Sequence, residues 1–150
     1  MFDRGNILYI ENYQLSNGNI KPKYLIVLEN LAGEAIIATL PTSQQYIDQE
    51  FINKGCIKQH QTHAYYFPRG VAICENQFSF SLNTFVLFRD NIFKESLELF
   101  TTKYPENKIE IKGKLISREY SDLIYCMYKS NVLRPDIERI FESILDDIVK

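Results

Sequence analysis

The chain changes its apolar period once, and that change limits its fold more than any single motif. From residue 5 to about residue 90, hydrophobic residues come in short runs rich in Ile, Val, Tyr and Phe, punctuated by Gly, Pro or Asn. From residue 117 onward they recur at three- and four-residue spacing. Side chains alternate across a strand but wind around a helix, so the first pattern fits sheets and the second fits helices. The order of the two patterns predicts an α+β chain, mainly β, with residues 5–90 in a strongly bent antiparallel sheet and helices over 117–129 and 136–149.

Within the β part, "NILYIENY" is a β-branched and aromatic run, and the Asn-Gly of "LSNGNI" signals a tight hairpin turn. "KYLIVLEN" and "EAIIATL" follow as buried strands joined at Gly33. "HAYYFP", "GVAICEN", "FSFSL" and "TFVLF" read as further short strands, a rhythm that suits a small antiparallel barrel. "ESLELFTTKYPEN" reads as a short helix ending near Pro105, and "KIEIKGKLI" alternates like a strand. Tyr120, Leu123, Ile124, Met127 and Tyr128 mark the first C-terminal helix, with Ser117 as its expected N-cap. Ile137, Ile140, Phe141, Ile144, Leu145 and Ile148 mark the second, with Pro135 suited to a first turn. No repeat or linker divides the chain, so one domain is expected over 1–150, with a barrel core at 1–95 and a strand-plus-helix segment at 96–150.

A composition of 45% hydrophobic and 24% charged residues is that of a globular protein. The formal net charge of -2 provides no general footprint for nucleic acid, so the barrel itself is not expected to bind DNA, and any RNA contact needs a local basic patch. "MFDRGNILYIENY" has no signal-peptide h-region, and no apolar run approaches the ~18 residues of a membrane span. A cytoplasmic protein without membrane contact is expected. Cys56, Cys74 and Cys126, odd in number and widely spaced, suggest reduced thiols packed as small hydrophobes. Cys56, His60, His63 and Cys74 have the spacing C-x3-H-x2-H-x10-C, which matches no common zinc finger, so no metal is expected. No Gly-rich phosphate loop or G-x-S-x-G elbow points to a cofactor or to a serine hydrolase.

The chemistry that remains lies in "KPKYLIVLENLAGEAIIATLPTSQ". In a hairpin the start of one strand lies beside the end of its partner, so Lys23 is expected near Thr42 and Ser43 at one rim. A cation and hydroxyls at one rim can grip a phosphate. The same residues also suit a solvated lysine and a Ser/Thr turn. His63 reads either as a polar group at a strand edge or as a proton-transfer residue.

Residues 4–90 resemble the MazF/PemK-type toxins in the order of their motifs. The stretch "RGNILYIENYQLSNGNIKPKYLIVLENLAGEAIIATLPTSQ" is similar to that family's opening strand, long hairpin loop, Arg-Pro-apolar strand and strand ending in Thr-Ser. Three positions depart from the pattern: Asn6 stands at a usually acidic position, Lys23 at the family's arginine and Tyr24 at its proline. The resemblance implies an SH3-like barrel with helices packed on it. It also implies metal-independent cleavage of single-stranded RNA by the substrate's own 2′-hydroxyl, a cognate antitoxin and a homodimer. Carried across, Lys23 falls at the catalytic cation and Thr42 at the hydroxyl, with Ser43 and Gln44 beside it. Glu11 and His63 are candidate proton acceptors, Lys21 and Gln44 candidate RNA contacts, and Tyr13, Tyr65 and Tyr66 candidate stacking platforms. The alternative is a catalytically silent barrel of the same kind that binds protein or RNA.

Overall fold

The computed structural model describes residues 1–40, 55–59, 62–89 and 91–149, and its first 40 residues form a three-stranded meander. β1 (Asn6–Gln14) turns at Leu15–Asn19 into β2 (Ile20–Asn30), which turns again into β3 (Glu34–Leu40). Gly18 closes the first turn at φ +88°, where a side chain would be strained, and its N–H donates to the Leu15 carbonyl at 2.9 Å. Then come β4 (Gly55–Gln59), β5 (Thr62–Phe67), β6 (Thr84–Leu87), β7 (Ile92–Ser96), α1 (Leu97–Lys103), β8 (Glu110–Lys114), α2 (Ser117–Lys129) and α3 (Pro135–Val149).

The strands form two antiparallel sheets, ordered β7-β3-β2-β1-β8 and β4-β5-β6. The chain is therefore α+β and mainly β, as the change of period implies. The pairing does not close into a barrel among the described residues. Its geometry explains why: β7 and β8 take the two outer edges of the meander, so β3 approaches β6 without a free ladder to offer it.

The largest core lies between the inner faces of both sheets and helices α2 and α3, joining Ile26, Leu28 and Ile36 to Phe67, Leu123 and Phe141. Leu8, Ile10, Leu25 and Ile37 form a second core on the opposite face of the five-stranded sheet, covered by Phe100 and Tyr104. "GVAICEN" and "FSFSL" do not form strands. Ile73, Cys74 and Phe80 are buried, but their backbone makes scattered bonds, such as Ile73 N–H to the Phe78 carbonyl at 2.9 Å, and one isolated bridge from Cys74 to Leu115 in place of a strand ladder. The apolar residues taken as a strand signal fill the core from an irregular segment.

Ser117 is the first residue of α2 and not its cap, since Ile116 occupies that position with extended backbone and no side-chain bond. α1 is capped as the sequence favours, with Ser96 Oγ accepting from the Leu99 N–H at 3.3 Å. Pro135 opens α3, where its missing N–H costs nothing. The expectation of three reduced thiols fails. Cys56 and Cys126 form a disulfide between β4 and α2, with Cα atoms 5.6 Å apart, and Cys74 is a buried free thiol. Spacing along the chain says little about which strand meets which helix.

Arg4 ties the amino terminus to β2 and α3. Its guanidinium donates to both Glu29 oxygens at 2.8 and 2.6 Å and to Asp147 Oδ2 at 2.9 Å. The Glu29 partnership holds its pKa above the ordinary arginine value.

Candidate functional site

Pro22 shapes the end of the β1–β2 hairpin. It has no N–H for the ladder, and the register slips opposite it: Ile10 faces Lys23, whereas Tyr13 faces Lys21. Three steps on β1 match two on β2, so one extra β1 residue is accommodated in a bulge containing Glu11 and Asn12. Both of these side chains are exposed. The bulge therefore displays a carboxylate beside the strand end that carries two lysines.

Lys23 is half-buried and shares the α1-covered face of the sheet with Leu25 and Val27. Burial lowers its pKa, and the nearby Lys21 charge lowers it further. A partly dehydrated ammonium attracts an anion more strongly than a fully solvated one. Lys21 itself is exposed.

Tyr13 stacks on Tyr104, with ring centroids 5.4 Å apart and planes 11° from parallel. Burial, followed by the neighbouring Tyr104 and Glu95, pushes the Tyr13 phenol up to about 12. Tyr104 Oη accepts the Gln14 N–H at 2.9 Å, and Lys103 Nζ lies 5.4 Å from the Tyr104 ring centroid. A groove of about 760 Å³ runs between the bulged end of β1 and the chain from Lys103 to Glu110, with Glu11, Asn12, Tyr104 and Lys108 in its walls. Its size suits a segment of one or two nucleotides or a short peptide.

Four of the residues singled out in the sequence thus lie at this end of the hairpin, Lys21 opposite Tyr13, Lys23 opposite Ile10 and Glu11 in the bulge, and of these only Glu11 lines the groove. Thr42, Ser43 and Gln44 lie outside the described residues, as does His60. The three remaining candidates are elsewhere. His63 lies on β5 in the other sheet, on the side of the strand shared by Tyr65 and Phe67, and its Nδ1 is buried without a hydrogen-bond partner among the described residues. Tyr65 is 2% exposed and donates its hydroxyl to Glu119 Oε2 at 2.8 Å, so it is a core residue and not a platform for bases. Tyr66 is also buried, stacked on Phe85 with centroids 4.7 Å apart. Thr39, which sequence reasoning passed over, pairs with Leu25 and so places a hydroxyl on the Lys23 face, where it donates to Asn91 Oδ1 at 3.5 Å. Strand alternation from Leu25 is the signal that finds it. Tyr104 was also missed, because the helix period around it marks only a packing residue.

Among known proteins, no family model matches the chain and no curated protein matches it in sequence. No helix among the described residues is long and apolar enough to cross a membrane.

Proposed function

We propose that the chain is a toxin-like, metal-independent endoribonuclease that holds single-stranded RNA at the bulged end of the β1–β2 hairpin, on a PemK-like, SH3-type scaffold. The observation that supports this reading is the meeting of Lys21, Lys23, Glu11 and Tyr13 on two paired strands. The ammonium groups of Lys21 and Lys23 attract the backbone, and Lys23, the less solvated, sits against the scissile phosphate. The 2′-hydroxyl attacks that phosphate as Glu11 accepts its proton, the P–O5′ bond breaks and the departing oxygen takes a proton from water, leaving a cyclic phosphate and a 5′-hydroxyl end. Lys23 stabilises the charge that grows on the phosphoryl oxygens. A base stacks against Tyr13, the less buried member of the Tyr13–Tyr104 pair. Such a protein acts as a homodimer and is held silent by a cognate antitoxin.

A second reading is a catalytically silent module that binds RNA or protein through the same surface. The position of His63 in the other sheet favours it, because that removes one of the two proton acceptors from the hairpin end. Incubation of the purified chain with single-stranded RNA and excess chelator separates the two. Cleavage leaving 5′-hydroxyl ends, reduced about 10²-fold by Lys23→Ala and retained in Lys23→Arg, supports the nuclease. RNA binding that Lys23→Ala weakens, without cleavage by either protein, supports the silent module.

A further inference from the structure

We propose that the Cys56–Cys126 disulfide is a reversible thiol–disulfide exchange site that takes a low-molecular-weight thiol, with attack at Cys56. The inference is independent of any RNA chemistry. The two sulfurs differ in access: Cys56, on edge strand β4, is exposed, whereas Cys126, on the inner face of α2, is 2% exposed. A cleft of about 300 Å³ opens beside the bond, lined by both cysteines with Asp122, Tyr125 and Lys129. It is at the small end of the range for ligand sites, suited to a tripeptide-sized thiol and too small for a protein domain.

The reduced state is also provided for. Cys126 Sγ lies 3.6 Å from the Ala64 carbonyl oxygen. In the disulfide that sulfur has no proton to give, but as a thiol it donates there, so opening the bond leaves a satisfied buried S–H. Nearby, Tyr65 binds Glu119 on the same helix, and this contact continues to hold α2 against β5 when the disulfide opens. The neighbourhood therefore accommodates both oxidation states.

The exchange runs in two steps. A thiolate attacks Cys56 Sγ, forms a mixed disulfide there and releases Cys126 as a thiolate, which takes a proton from water. A second thiolate attacks the mixed disulfide, yielding the oxidised small thiol and a Cys56 thiolate. The small thiol is oxidised by two electrons and the protein disulfide is reduced by two. The outcome removes the covalent tie between β4 and α2.

The test uses the oxidised, folded chain and glutathione as probe. The chain is incubated at graded ratios of reduced to oxidised glutathione, quenched with an alkylating agent and mapped by peptide mass. The expected result is glutathione on Cys56 with a free thiol at Cys126, at least tenfold more abundant than the reverse adduct. Cys126→Ser, which lacks the resolving thiol, should accumulate the Cys56 adduct. An adduct mainly on Cys126, or a bond that no ratio opens until the chain is unfolded, overturns the proposal. The wild-type measurement decides even if the variant does not fold.

Discussion

Replacing Tyr65 with Phe tests how the buried polar contact between β5 and α2 is built, because its cost should depend on pH. The Tyr65 hydroxyl donates to the Glu119 carboxylate at 2.8 Å in a core where both residues are almost fully buried. Loss of a hydrogen bond to a charged acceptor costs about 2 kcal/mol, which for a chain of this length is a fall in Tm of about 6 °C at neutral pH. Burial, and then the bond to Glu119, raises the Tyr65 pKa well above the ordinary 10.0. The folded protein therefore keeps a proton that the unfolded chain releases above pH 10, and stability present below that pH is lost as pH rises. One unit above the unfolded value, at about pH 11, the loss from Tyr65 is on the order of 1 kcal/mol. Phe has no phenol to ionise, so the deficit of the variant should shrink from about 2 kcal/mol at pH 7 to below about 1 kcal/mol at pH 11. Urea unfolding followed by far-UV circular dichroism at both pH values measures it. A deficit that stays constant with pH would refute the reasoning.

Tyr120, whose hydroxyl donates to the Leu28 carbonyl at 2.6 Å, and Cys74, pushed up to about 12 by burial, lose stability in alkali in the same direction. With Tyr65 they should lower the wild type's urea midpoint progressively as pH rises from about 8 to about 11. Gly113→Ala should cost about 2 kcal/mol in thermal unfolding, since a new Cβ would lie 2.9 Å from Cys74 Cβ. Arg4→Ala should destabilise by about 1 kcal/mol or more through the Glu29 carboxylate it abandons, while Asp147→Asn, at a 57% exposed partner, should stay within about 0.5 kcal/mol of wild type. For the proposed RNA contact, Lys21→Ala should weaken binding evenly across sequences and reduce the salt slope by about one, measured by fluorescence anisotropy.

The elements with strong local signals were legible from the residues alone. The Asn17-Gly18 turn, the Gly33 turn, α1 before Pro105, the strand around Ile111 and both C-terminal helices carry their own period or punctuation, and they form where the sequence suggests. Features set by long-range contact were not legible. β7 has an unremarkable sequence and exists because β3 has an edge to pair, and Ile73 to Phe80 have strand-like composition but are buried without a ladder. The disulfide depends on α2 lying across β4, which no spacing encodes. The site follows the same division. Lys21, Lys23, Glu11 and Tyr13 come together because one hairpin contains them, whereas assigning His63 and Tyr65 to that site required knowing which sheet holds β5.

The position of β7 and β8 also bears on how the protein is made. The meander that occupies the middle of the larger sheet is synthesised first, but the strands that flank it begin only at Ile92 and Glu110. A nascent chain that has emerged only as far as Phe88 thus presents a formed hairpin pair with rows of unpaired backbone N–H and C=O on both sides. Such edges recruit any strand within reach, including one from a neighbouring ribosome on the same message. Between translation of Leu40 and of Lys114 these edges lack the partners β7 and β8, and codons that slow elongation there would lengthen the exposure.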